Sequence, residues 1–169
     1  MKIALTLYLP TYLVSHGQSI WLTGIALSVL QFSGAIGAFA VGYISDKVSH
    51  KKVLLIMSVV NPLTMFLFLS KSEHTIPILI VTGFFMIASG PVILNAVQST
   101  NSDRPAFVNS IFMSLSFGIS AAATTFVGLI GDSFGLDTTF KVCGILAFFA
   151  VPFIIFLPTN FNPTEEVKN

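Results

Sequence analysis

Four stretches of this chain, residues 20–44, 53–69, 76–98 and 107–130, contain no Asp, Glu, Lys or Arg. A hydrocarbon core of about 30 Å is crossed by roughly 20 helical residues, so each stretch is long enough to span a bilayer. Inside lipid every backbone N–H and C=O must be paired within its own segment, which restricts such runs to helices. Only 9% of the 169 residues are charged. A water-soluble domain carries about 25%, so a surface facing water on all sides cannot be built from this set. The sequence therefore predicts an all-α membrane protein with the bilayer as its solvent.

Charges and helix breakers divide the chain into six transmembrane helices. The first covers residues 2–15 and is closed by Gly17. Its rise of about 22 Å falls short of a full crossing, so it reads as the truncated end of a longer helix. Tyr12-Leu13-Val14-Ser15-His16 is too bulky for a signal-peptide cleavage site. The second helix runs over 20–45 and ends at Asp46-Lys47. The third, 52–69, carries Asn61-Pro62 as an expected kink, and the fourth, 75–98, is expected to be interrupted at Gly90-Pro91. Asp103 and Pro105 announce the fifth, 107–130, while the sixth, 138–157, contains Pro152 and stops at Pro158. Residues 1–158 thus form a six-span bundle, and 159–169 a short polar tail expected to be cytoplasmic and disordered.

Basic residues set the orientation. With the N-terminus inside, Lys2, Lys47, Lys51, Lys52, Arg104 and Lys168 are cytoplasmic, and Lys71 and Lys141 are external. The positive-inside rule favours both termini in the cytoplasm. The net charge of +1 offers no basic patch for nucleic acid. Cys143, the single cysteine, has no disulfide partner in the chain and reads as a small packing residue in a helix.

Two short segments echo each other. Gly42-Tyr43-Ile44-Ser45-Asp46 closes the second helix, and Gly128-Leu129-Ile130-Gly131-Asp132 closes the fifth. Both read G-x-I-x-D, one inside and one outside, as in the three-plus-three inverted repeats of secondary transporters. Small and weakly polar residues also recur at helical spacing: Gly24, Ser28, Gln31, Ala35, Ala38 and Gly42 in the second helix, and Asn109, Met113, Ser116, Ser120 and Thr124 in the fifth. Phe84, Ala88, Pro91, Asn95 and Gln98 share a face of the fourth. Such stripes predict helix–helix packing. Gly42 is expected to let a neighbouring helix approach closely, and Asp46 to face the positive N-terminal end of a helix.

The segment Gly42-Tyr43-Ile44-Ser45-Asp46-Lys47-Val48-Ser49-His50-Lys51-Lys52 resembles the cytoplasmic loop motif of the major facilitator superfamily, G-x-x-x-D-R/K-x-G-R-R/K-R/K. Gly42, Asp46, Lys47, Lys51 and Lys52 match; Ser49 replaces the usual Gly and His50 the usual Arg. In that family one copy joins spans two and three and an echo joins spans eight and nine. Imperfect copies are typical of the second half. The resemblance therefore implies the C-terminal six-helix half of a transporter, a 3+3 inverted repeat in which Asp46 meets the start of the fifth span when the two halves close. Leu9-Pro10-Thr11-Tyr12-Leu13-Val14, the segment Val108 to Phe117, and Val127 to Asp132 followed by Phe134-Gly135 look like the fosmidomycin-resistance branch of bacterial and archaeal efflux transporters.

The resemblance also implies that the first and fourth helices line the substrate cavity, which makes Tyr8, Asn95 and Gln98 the cavity candidates. Its implied partners are the lipid bilayer, a small organic substrate, and either an N-terminal six-span half or a second copy; its implied location is the prokaryotic plasma membrane. No carboxylate lies within the uncharged spans to relay protons, and His16, His50 and His74 all fall in the loops between them. No nucleophile elbow, P-loop or metal-ligand spacing calls for an enzyme, a cofactor or a metal. The competing reading is a membrane scaffold that keeps a transporter's helix packing without transporting.

Overall fold

The computed structural model describes residues 1–70, 75–98 and 103–156, except for the side chain of Asp46. The described residues form helices and turns, with no strand among them. Lys71 and His74, expected to be external, and the tail with Pro158 and Lys168 lie outside the described residues. The helices are α1 (Lys2–Ser15), α2 (Ile20–Lys47), α3 (His50–Leu69), α4 (Thr75–Gln98), α5 (Pro105–Phe148) and α6 (Ala150–Ile155). By length and composition four stretches can cross a membrane: Ile20–Ser45, His50–Leu69, Thr75–Gln98 and Pro105–Ile155.

Local signals account for the ends. Gly17 takes φ 78° just after α1, a left-handed conformation that terminates helices and suits glycine. Ser19 caps α2 by accepting from the Leu22 amide at 3.2 Å. Between α2 and α3 lie Val48 and Ser49, with the Val48 amide bonded back to the Ile44 carbonyl. The expected interruption at Gly90-Pro91 does not occur: α4 runs through it unbroken. Proline removes one ladder bond, but the fully buried Ala88 and Val92 bracket this site and hold the helix against its neighbours. Pro62 likewise sits inside an unbroken α3.

The expected fifth and sixth helices have no loop between them. They are two limbs of α5 that meet at Gly135, whose φ of 79° and ψ of 163° are not helical. Near the end of the first limb, Gly128 faces Tyr8, whose hydroxyl lies 3.2 Å from where a Cβ on that glycine would be. Just past Gly135, Phe140 packs on Tyr12 and on Phe68 with ring centroids 4.9 and 6.5 Å apart. Gly144 then meets Phe66, and Ile155 reaches Lys51 at the other end of α3. The second limb and α6 therefore run back along α3. A straight helix over 105–155 would be about 76 Å long, more than twice the thickness of a hydrocarbon core.

The core has two parts. The larger joins α1 to the other helices through Leu5, Leu9, Leu30, Met65, Leu79, Val127 and Phe140. The smaller consists of Val41, Val53, Met57, Ala88 and Val92. The closest approach is between α2 and α4. A Cβ on Gly37 would stand 2.1 Å from the Phe84 carbonyl oxygen, and one on Gly83 2.3 Å from that of Leu30. Glycine at both places lets the two backbones touch, the small-residue packing usual between helices in lipid.

That crossing corrects the face expected for α2. Its buried side is Ala26, Leu30, Ser33, Gly34, Gly37, Val41 and Ser45, whereas Gly24, Ser28, Gln31 and Ala35 of the small-residue stripe are exposed. In a helix apolar all round, spacing alone gives several equivalent stripes. The chosen one points away from this bundle. The first limb of α5 is similar: no residue over 105–126 is buried, and Met113 and Ser120 of its stripe are exposed.

Candidate functional site

The Gly42–Lys52 segment forms the end of α2, a two-residue turn and the start of α3. Its residues do different things. A Cβ on Gly42 would meet nothing within 4 Å, so among the described residues no helix makes the close approach expected there. The Asp46 side chain, expected to meet the start of the fifth span, lies outside the described residues. Lys47 folds back one turn, donating to the Tyr43 hydroxyl with its ammonium 4.3 Å from that ring's centroid. Lys51 leaves its own helix and donates 2.7 Å to the Ile155 carbonyl. Lys52 is exposed.

His50 is not in an open loop. It opens α3, is 3% exposed, and sets its Nδ1 2.8 Å from Oγ of the fully buried Ser45. The signal was present in the spacing: His50, Val53 and Met57 recur at i, i+3 and i+7 and share the buried face.

Of the three cavity candidates, Asn95 and Gln98 lie one turn apart on α4 and Tyr8 lies on α1. Tyr8 is half-buried and packs into the larger core against Gly128. Asn95 is half-buried one turn beyond Val92, and Gln98 is exposed as the last residue of α4.

A cluster that sequence reasoning missed lies at the opposite end. The Tyr12 hydroxyl donates 3.1 Å to Asp137 Oδ1, and His16 Nε2 lies 3.4 Å from Asp137 Oδ2. His16 Nδ1 is 2.9 Å from the Tyr12 carbonyl, and the two rings are 4.2 Å apart. His16 is thus tied to the end of α1, not placed in a free loop, and Asp137 fastens the second limb of α5 beside it. Sequence separation of 125 residues between Tyr12 and Asp137 hid this pairing. Cys143 is buried in that limb, as a packing residue would be.

Comparison with known proteins adds identity to this geometry. No solved structure matches the chain. It is 28% identical over 156 residues to the fosmidomycin resistance protein of Escherichia coli (strain K12), a match covering 90% of this chain and 38% of that relative. The chain therefore spans well under half the length of the curated relative it matches. The sequence profile of the Major Facilitator Superfamily matches residues 1–169, and this chain belongs to that family.

Proposed function

We propose that the chain is the C-terminal six-span half of a secondary transporter that moves a small organic molecule across a prokaryotic plasma membrane by alternating access. In this reading the two limbs of α5 cross the bilayer separately, α1 supplies the outer part of a further crossing, and the six spans form a 3+3 inverted repeat with both termini cytoplasmic. The similarity to the fosmidomycin resistance protein supports an efflux direction and drug-like substrates. Asp46 acts at the membrane edge, where it meets the first turn of α5 as the halves close on that side, and Tyr8, Asn95 and Gln98 contribute to the cavity.

The observation that carries the reading is the openness of two helices. The first limb of α5 exposes Gly118, Ala121 and Ala122 on one face, and α2 exposes Gly24, Ser28 and Ala35 on one face. Residues this small offer lipid little apolar surface but allow another helix's backbone to approach. Such faces fit an N-terminal six-span half. Co-reconstitution of the chain with an N-terminal half in proteoliposomes tests this, with Asp46→Asn as the control. Substrate flux that disappears with Asp46→Asn supports the transporter; assembly without any flux supports a scaffold.

A further inference from the structure

Three helix ends meet at the loop end of the bundle through adjacent side chains. Several helical hydroxyls bond back to a carbonyl three or four residues earlier, as Ser28 does to Gly24, Thr82 to Ile78 and Ser89 to Met86. The Ser45 hydroxyl instead pairs across the α2–α3 turn with His50 Nδ1 at 2.8 Å. Ser45 is 0% exposed and His50 3%, so water cannot substitute for either partner, and losing one strands the other. The next residue, Lys51, faces another way and donates 2.7 Å to the carbonyl of Ile155, the last residue of α6. The final carbonyls of a helix have no partner within it, and a lysine ammonium both pairs with them and complements the negative end of the helix dipole.

We propose that Ser45, His50 and Lys51 form a clasp that holds the end of α2, the start of α3 and the end of α6 as one unit. His50 and Lys51 are positioning residues. Lys51, although part of the motif segment, works within its own bundle, and a displacement of the α2 end beside Asp46 is passed through the turn to α6. The importance of the clasp for transport rests on the proposed function, but its existence does not, so the two can fail separately.

Hydrogen–deuterium exchange of the full chain in nanodiscs tests it without a substrate. Lys51→Met should speed exchange over 150–156 about tenfold, the size expected for losing one hydrogen bond to a charged group. His50→Leu should speed exchange over 45–53 and, through Lys51, over 150–156 as well. His50→Asn, which can present an amide near the place of Nδ1, and Lys51→Arg should restore slow exchange in both segments, with 20–40 unchanged throughout. If His50→Leu also loses protection over 20–40, Ser45→Ala carries the same test by removing a single hydroxyl. A loosened 45–53 with 150–156 still at the wild-type rate overturns the clasp. So does Lys51→Met leaving 150–156 untouched, or His50→Asn behaving like His50→Leu.

Discussion

The α2–α4 crossing and the first limb of α5 are built from the same kind of sequence and end in opposite environments. Both are apolar and rich in Gly, Ala and Ser. At the crossing the glycines are filled against backbone: Gly37 faces the Phe84 carbonyl and Gly83 that of Leu30. Over 105–126 no residue is buried, and a Cβ on Gly118 would meet nothing within 4 Å. Small residues at helical spacing therefore mark a surface suited to another helix without saying whether that helix belongs to the same chain. One region has its partner. The other exposes Gly118, Ala121 and Ala122 beside larger apolar side chains such as Leu115 and Phe117, with no helix packed on them among the described residues, and that contrast supports the proposal of a second half.

The largest effect is expected at the α2–α4 crossing. Gly37→Ala places a methyl 2.1 Å from the Phe84 oxygen, so the two backbones must separate. Overpacking of this kind costs about 1–3 kcal/mol, and the upper part is expected because the obstacle is backbone. Thermal unfolding in detergent should show the largest drop of the series, and an unchanged midpoint would mean the crossing is not tight. Gly135→Ala probes the joint between the open and closed limbs of α5. Nothing lies within 4 Å of its Cβ position, so the cost, about 1–3 kcal/mol, comes from the positive φ alone. It should not be relieved by trimming neighbouring side chains.

Tyr12→Phe removes the hydroxyl that holds the closed limb at Asp137 while keeping the ring packed on Phe68 and Phe140. One neutral-donor hydrogen bond at a part-buried site predicts a loss of about 1 kcal/mol. Asp137→Asn should bring a comparable loss, and combining it with Tyr12→Phe should add little in a double-mutant cycle. The smallest effect belongs to the open side. Gly118→Ala should change the stability of this chain alone by no more than about 0.5 kcal/mol. With an N-terminal half bound, the same substitution should weaken assembly, so its effect appears only in the second condition.

How much of this was legible in the sequence depends on what each residue had to report. Helix type and most boundaries followed from uncharged runs and from stops such as Gly17, because lipid leaves the backbone no alternative. The break at Gly90-Pro91 was misread because tertiary packing through Ala88 and Val92 outweighs one missing ladder bond. The buried face of α2 was misread because a helix apolar all round has no polar side to exclude; Gly34, Gly37 and Gly83 held the information, but only pairing α2 with α4 reveals it. The Gly42–Lys52 segment was recognised as a unit, while its division of labour was not. That Lys51 reaches Ile155, and Tyr12 reaches Asp137, depends on the reversal at Gly135, which no local pattern around either partner announces.

The central claim is that the exposed small-residue faces of α2 and α5 receive a second transporter half. Site-directed cross-linking in a Cys143→Ala background measures this directly, with the chain co-expressed beside an N-terminal six-span half. Single cysteines at Ala35 and Ala121, both exposed, should each give a cross-linked product with that half, whereas one at Ile56, exposed on α3, should not. Products at Ile56 equal to those at Ala35 and Ala121, or none at any of the three when the halves co-purify, would contradict the account.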